Sequence, residues 1–198
     1  IPKICPVCGD PTRISQINDV QSLYCDNEAC PAKRIKSFTL FVSRDALNID
    51  GLSEMTLEKF IDRGFIHEYA DLFHLDRYKE ELTAMEGFGE KSYQNLMESV
   101  ERARHTTLPR ALYGLGIANI GVANAKMLCR HFDYDFQKLK EASVEELSAI
   151  EGVGEVIAGA FVEYMHQEDN LQKIAHLWKE LDIEKPVINE EAQSLNGK

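Results

Sequence analysis

A five-residue pattern recurs four times in this chain, and it constrains the fold more than any other feature of the sequence. The pattern consists of an apolar residue, a variable residue, a glycine or asparagine, a second apolar residue and a small residue. We number the copies motif 1 to motif 4: IDGLS at 49–53, MEGFG at 85–89, IANIG at 117–121 and IEGVG at 150–154. Their third positions are 36, 32 and 33 residues apart. A spacing this constant is typical of repeated supersecondary units.

Each motif is followed by a segment with the apolar periodicity of a helix. The residue seven places after the end of the motif is apolar in every copy, namely Phe60, Leu96, Leu128 and Phe161. One buried helix face requires such a shared register. We therefore predict a mainly α fold in which the motifs pack as two pairs, 46–105 and 107–183, because a single repeat cannot bury its apolar face alone.

Two positions of the motif predict its chemistry. The third position requires a positive φ, which glycine adopts readily and asparagine tolerates; its residues are Gly51, Gly87, Asn119 and Gly152. The fifth position opens a helix with a bare backbone or a small N-cap; its residues are Ser53, Gly89, Gly121 and Gly154. Free N–H groups at a helix N-terminus bind phosphate oxygens, so we predict phosphate binding at these eight positions.

A purely structural turn between helices would use the same glycines, but four copies in one register favour phosphate binding. A dinucleotide-binding loop is excluded, because no strand pattern precedes the glycines and the third glycine of G-x-G-x-x-G is missing.

The formal net charge of -11 and the pI near 5.0 argue against a polyanionic partner, because non-specific nucleic-acid affinity comes largely from lysine and arginine. Backbone amides remove this objection, since they bind phosphate without a basic side chain. Lys91 follows Gly89 closely, and Lys126 lies one turn into the helix after motif 3; we predict that both add phosphate contacts. Motif 4 carries Glu155 and no nearby basic residue, so its contact is the weakest.

Four of the five cysteines lie in the first thirty residues, in the pattern C-x2-C, sixteen residues, C-x4-C. Two such pairs can converge on one tetrahedral zinc ion, so we predict a zinc knuckle with the ligands Cys5, Cys8, Cys25 and Cys30. Disulfides or free thiols are the alternative. A site with four protein ligands is closed and structural, and folding of residues 1–35 should depend on the metal. We expect Cys129 to be a buried core residue.

The order of these features resembles one family. Each motif and its helices look like a helix-hairpin-helix unit, and a four-cysteine knuckle followed by four such units resembles the NAD-dependent DNA ligases of bacteria over residues 1–183. The resemblance implies a cytoplasmic, DNA-binding part of an enzyme that seals nicks during replication and repair. It also implies that nicked duplex DNA is the partner, that zinc is the cofactor of this chain, and that NAD serves only an upstream adenylation domain.

The chain departs from that family at the catalytic motif. The resemblance implies a catalytic Lys-x-Asp-Gly motif in an upstream nucleotidyltransferase domain. The nearest match here has Asn48 at the lysine position and ends at Gly51, so it belongs to motif 1. We therefore predict no catalytic residue in this chain and no nick sealing by it alone.

We predict a knuckle and connector at 1–45, the helix-hairpin-helix region at 46–183, and at 184–198 a linker towards a BRCT domain that this chain lacks. After the connector we expect helices from about Met55 onward.

Two other interpretations remain open from the sequence. One is a helix-hairpin-helix region of a nuclease or junction-processing protein, and the other is a zinc-containing helical module that binds a protein partner through its acidic surface. We expect a monomer. We also expect no membrane contact, because every apolar run falls far short of the roughly 20 residues that a membrane helix needs.

Overall fold

The computed structural model describes residues 2–17, 19–27 and 29–185. Most of them are helical, which confirms the predicted fold class. The α-helices are α1 (Pro31–Phe41), α2 (Glu54–Asp62), α3 (Lys79–Thr83), α4 (Glu90–Ala103), α5 (Leu108–Gly114), α6 (Val122–His131), α7 (Phe136–Glu141), α8 (Val144–Ser148), α9 (Glu155–Met165) and α10 (Glu168–Glu180). A 3₁₀ segment, Tyr69–Tyr78, precedes α3.

Two small sheets accompany the helices. Strands β1 (Thr12–Ile17) and β2 (Val20–Cys25) form an antiparallel ribbon between the two cysteine pairs. Strands β3 (His105–Thr107) and β4 (Asp182–Glu184) pair in parallel. The second sheet therefore joins the segment after α4 to the segment after α10.

Every motif joins two helices that pack on each other: α1 and α2 around motif 1, α3 and α4 around motif 2, α5 and α6 around motif 3, and α8 and α9 around motif 4. The predicted register is also confirmed. Phe60, Leu96, Leu128 and Phe161 are all 0% exposed and belong to one continuous core. The division into units at 46–105 and 107–183 stays a prediction.

Helix α1 corrects one expectation. We expected a connector before about Met55, whereas residues 31–41 form the first helix of motif 1. Pro31 suits the first helical position, where its missing N–H costs nothing. Phe38 and Phe41 are buried, and their rings lie 5.3 and 4.3 Å from the ring of Tyr69. Short apolar runs are ambiguous in sequence, and here packing on the 3₁₀ segment selects the helix.

Helix α10 closes the chain on the same core. Ile174 and Leu177 are buried. Trp178 packs on Phe136 with ring centroids 4.9 Å apart and lies against the core. Cys129 is also buried in α6, as predicted. Across the described residues, no helix is both long and apolar enough to cross a membrane.

Arg104 connects three parts of the fold. Its guanidinium donates to the Glu180 carboxylate at 2.8 Å, to the Glu180 carbonyl at 3.1 Å and to the Phe73 carbonyl at 3.0 Å. His74 contacts the other carboxylate oxygen of Glu180. Burial opposes ionisation of Glu180, but the hydrogen bonds from Arg104 and His74 outweigh it and lower the pKa of the carboxyl group. The end of α4, the 3₁₀ segment and α10 therefore meet at one ion pair.

Replacing Arg104 with methionine should destabilise the chain by about 2 to 4 kcal/mol, because a carboxylate only 18% exposed loses its main partner. Arg102→Met is the control: Arg102 is 73% exposed and lies 3.8 Å from Asp50, and its loss should cost less than about 1 kcal/mol. Urea unfolding at neutral pH measures both. Equal costs for the two variants would contradict a structural role for the Arg104 network.

The predicted linker at 184–198 lies mostly outside the described residues. Of that segment the structure describes Glu184, the last residue of β4, and Lys185.

Candidate phosphate-binding motifs and metal centre

The four motifs share one backbone conformation. At the third position φ is +88° at Gly51, +77° at Gly87, +66° at Asn119 and +86° at Gly152. The predicted left-handed position is thus confirmed in every copy. At Gly152 an added Cβ would lie 2.9 Å from Cε of Met127, the flexible end of that side chain, so the positive φ is the stronger reason for glycine there.

The apolar residues of each motif anchor its turn in the core. Phe88, Ile120 and Val153, at the fourth position, are each no more than 7% exposed. Their amides donate to the carbonyl three residues earlier, at 3.0, 3.1 and 3.0 Å respectively. Leu52 is likewise buried in motif 1. The third-position residues Gly51, Gly87, Asn119 and Gly152 are exposed beside these buried side chains.

The fifth position of each motif is the N-cap of the next helix. Gly89, Gly121 and Gly154 have extended backbones, and a Cβ added to any of them would meet nothing within 4 Å. No N-cap side chain accepts a hydrogen bond from the first turns of α4, α6 and α9, which all lie in the described part of the chain. These three helix N-termini therefore present open amides with a favourable dipole.

Motif 1 differs because the side chain of its N-cap residue caps the following helix. The hydroxyl oxygen of Ser53 accepts from the amide of Thr56 at 3.2 Å, which confirms the predicted capping role. The amide of Asp50 donates to the buried hydroxyl of Ser99 on α4 at 2.7 Å. Two amides near motif 1 are thus already satisfied within the protein. The sequence carries no signal for the Ser99 contact, because a serine inside an amphipathic helix is ordinary.

The four helix N-termini carry different charges. The first turns of α2, α4 and α9 contain Glu54, Glu90 and Glu155, whereas that of α6 contains no acidic residue. Glu90 lies 3.7 Å from the ammonium group of Lys79, which offsets part of its charge. Lys91 and Lys126 are both exposed, on α4 and α6. Motif 3 therefore combines open amides with the most favourable local charge.

The four N-terminal cysteines converge. Their sulfur atoms all lie within 4.8 Å of one another, with 3.9 Å between Cys5 and Cys30 and 3.4 Å between Cys8 and Cys25. Four sulfurs around a tetrahedral zinc ion at about 2.3 Å are about 3.8 Å apart, whereas a disulfide bond is about 2.05 Å long. The cysteines are free thiols in the structure and could hold a metal ion.

Backbone amides prepare this site for a cation. Hydrogen bonds from the amides of Cys8 and Val7 lower the pKa of the Cys5 thiol to about 6. Gly9 has a φ of +80°, a conformation that suits the tight turn after Cys8. The amide of Asp10 favours the Cys8 thiolate, but desolvation and the neighbouring sulfurs outweigh it and raise the pKa of Cys8 to about 12. A bound dication would favour the thiolate form of every ligand.

Comparison with protein families agrees with the repeat. A model described as a SAM-like helix-hairpin-helix tandem matches residues 43–102, and a helix-hairpin-helix motif model matches residues 110–174. The chain therefore contains helix-hairpin-helix motifs, preceded by a four-cysteine cluster that could hold a metal ion.

Among curated proteins, the chain is similar to DNA ligases. It is 55% identical to the DNA ligase of Lachnoclostridium phytofermentans, with all of this chain and 30% of the relative covered. It is 47% identical to that of Ruminiclostridium cellulolyticum, over 98% of this chain and 29% of the relative. The DNA ligase of Bacillus subtilis is 38% identical, over 89% of this chain and 26% of the relative. The chain thus spans less than a third of these relatives, and its predicted resemblance to DNA ligases is confirmed.

Removing one ligand should abolish metal binding. Cys25→Ser is expected to lower the metal content of the purified chain from one ion to less than about a tenth of an ion per chain, because three thiolates no longer close the site. The matched control is Cys129→Ala, which removes a buried thiol from α6 and should keep one ion. Elemental analysis gives the stoichiometry and identifies the metal. Wild-type metal content in Cys25→Ser would contradict the proposed ligand set.

Proposed function

We propose that this chain is the DNA-binding part of a DNA ligase and holds duplex DNA through backbone amides of its motifs. One observation carries the proposal: the N-termini of α4, α6 and α9 open with exposed glycines and receive no N-cap side chain. Such N-termini bind phosphate oxygens. The relatives named DNA ligase make a DNA phosphate the natural ligand.

The four motifs should contribute unequally. Motif 3 is the strongest, since its open amides at Asn119 and Gly121 are supported by Lys126. Motif 2 follows with Gly87, Gly89 and Lys91. Motif 1, with Gly51 and Ser53, and motif 4, with Gly152 and Gly154, have an acidic first turn and no adjacent lysine. Affinity should therefore depend most on motifs 2 and 3.

Binding of this kind does not read base sequence, because phosphate contacts position a protein without recognising base edges. It also explains how a chain with a net charge of -11 can bind a polyanion. Most acidic side chains would then face away from the duplex. The low number of lysines and arginines involved should make the salt dependence shallow compared with that of a basic protein.

The activity proposed for the longer protein that contains this chain is inferred from the relatives, not from the residues of this chain. We propose that the longer protein is a cytoplasmic, NAD-dependent ligase that seals nicked duplex DNA in replication and repair, and that NAD binds only outside this chain.

We propose that the ion held by Cys5, Cys8, Cys25 and Cys30 is zinc. Its closed tetrahedral site would order the ribbon and perform no chemistry. We propose that the chain itself is a monomer.

A protein-interaction module is the second candidate. The β1–β2 ribbon exposes several apolar side chains, among them the cross-strand neighbours Ile14 and Leu23, which are 50% and 42% exposed. An exposed apolar patch is typical of a protein-binding surface. The open helix N-termini have no role in protein binding of this kind. Variants that block them therefore distinguish DNA binding from protein binding.

Replacing Gly121 with aspartate should weaken DNA binding about tenfold or more, because the new carboxylate caps the amides of α6 and repels phosphate. The fold should survive, since φ at Gly121 is -89° and an added Cβ meets nothing within 4 Å. Binding to a labelled nicked duplex is measured by fluorescence anisotropy, and folding by circular dichroism.

Gly159→Asp provides the charge-matched control. It adds the same charge within α9, where a Cβ also meets nothing within 4 Å, and it should change affinity less than about twofold. Gly89→Asp tests motif 2 in the same way. If Gly89→Asp and Gly121→Asp are combined in a folded protein and affinity survives, the motifs are turns only and the protein-interaction function gains support.

We further predict that the chain alone does not seal nicks. It should form no covalent adenylate with labelled NAD and no joined product with nicked DNA, because the family resemblance implies that the nucleophilic lysine lies in an upstream domain, and the nearest match to its motif here has Asn48 instead of lysine. Gel electrophoresis of the labelled protein and DNA checks both. An adenylated form of this chain would show that a nucleophile lies within it.

A further inference from the structure

Two loops supply the four cysteines, one at each end of the β1–β2 ribbon in the chain. The first loop carries Cys5 and Cys8, and the second carries Cys25 and Cys30. The sulfur atoms of Cys8 and Cys25, one from each loop, lie 3.4 Å apart. Thiolates held this close repel one another in the absence of a cation. The two loops therefore need other contacts to stay together.

A side-chain hydrogen bond joins the two loops. Nδ2 of Asn27 in the second loop donates to Oδ2 of Asp10, which follows the first loop, at 2.6 Å. Both residues are half-buried. Because the acceptor is a carboxylate, this hydrogen bond is stronger than one between two neutral groups. The loops are thus connected through groups outside the predicted ligand set.

Asn27 uses each of its polar groups within the knuckle. Its side-chain oxygen accepts from the amide of Ala29 at 2.9 Å, and its carbonyl accepts from the amide of Cys30 at 3.1 Å. Its own amide donates to the sulfur of Cys25. Asn27 therefore contacts both cysteines of its loop through its backbone, and its side chain is held by Ala29 while it reaches Asp10.

Asp10 has the same relation to the first loop. Its amide donates to the sulfur of Cys8, and its carbonyl accepts from the amide of Cys5 at 2.8 Å. Each of the two residues thus bonds through its backbone to the two cysteines of its own loop and through its side chain to the other residue. A shift of either side chain would be passed to two cysteines.

We propose that Asp10 and Asn27 are positioning residues of the metal centre, whose hydrogen bond holds the two cysteine loops at the separation that one ion requires. The inference rests on the proposed zinc site. Groups that orient metal ligands without binding the metal commonly raise metal affinity tenfold to a hundredfold. Cys30 is also the N-cap residue of α1, so the same loop connects the metal centre to the first helix of motif 1.

Zinc affinity of the full chain, measured with reduced thiols by competition with a chelator of known affinity, tests the pair. Asn27→Ala should weaken zinc binding about tenfold to a hundredfold, because it removes the link between the loops and the acceptor for Ala29. Asn27→Asp should weaken it by a similar factor, since it places two carboxylates together. If the Asp10 carboxylate acted only through its charge, Asn27→Asp would instead bind zinc more tightly.

Exchanging the two side chains tests the hydrogen bond itself. Asp10→Asn combined with Asn27→Asp keeps the net charge and reverses donor and acceptor, and the carboxylate at position 27 can still accept from Ala29. The exchange should restore zinc affinity to within about threefold of the wild type, because the pair is coupled.

Arg13→Ala is the matched control on the same ribbon. Arg13 on β1 lies 2.9 Å from Asp26, the neighbour of Asn27, but the two side chains are 71% and 49% exposed. Loss of such a surface pair should change zinc affinity less than about threefold. The absorption spectrum of the cobalt-loaded chain reports the ligand set, and it should be the same in the wild type and in every variant of the pair.

Weakened zinc binding in Asn27→Ala with an unchanged cobalt spectrum, and restored binding in the exchanged variant, supports the inference. Wild-type affinity in Asn27→Ala would overturn it and leave the proposed zinc site standing. It would also be overturned by an exchanged variant no tighter than Asn27→Asp, by an equal loss in Arg13→Ala, or by a cobalt spectrum like that of Cys25→Ser. A folded wild-type chain that binds no zinc would overturn the proposed zinc site together with this inference.

Discussion

The left-handed residue at the third position of each motif is the constraint on which the rest of the structure depends. Its positive φ reverses the chain between two apolar residues, so that both enter the core on either side of the turn. Because these side chains are held inside, the amides that open the next helix are directed outward. One backbone conformation therefore couples the packing of the helices to the exposure of the proposed phosphate sites.

Charge is arranged around those sites in a graded way. The chain carries 33 acidic and 22 basic side chains, so its net charge repels a polyanion at long range and local groups must decide where DNA binds. Motif 3 alone has a first turn free of acidic residues, whereas motif 1 already uses two nearby amides on Ser53 and Ser99. The proposed function therefore does not treat the four copies as equal.

Much of the fold and of the candidate site was predictable from the sequence, because four copies of one pattern identify a structure that a single copy would leave ambiguous. The four motifs, their positive φ, the helix register through Phe60 and Leu128, and the convergence of the four cysteines all follow from spacing. Helix α1 was missed, because its apolar run is short and its helical state depends on packing against Tyr69. The network of Arg104, Glu180 and His74 was also missed, since residues far apart in the chain leave no periodic signal.

The sequence by itself determined the number of motifs, their conformation, the faces that their helices bury and the identity of the clustered cysteines. These properties depend on residue types at fixed spacing, and local backbone sterics and helix periodicity impose them directly. Only the tertiary structure decided that the amide of Asp50 is already satisfied by Ser99, and which apolar side chains stay exposed, as at Met55 and Val156. Both depend on which surfaces meet when distant segments pack, and no local pattern encodes that.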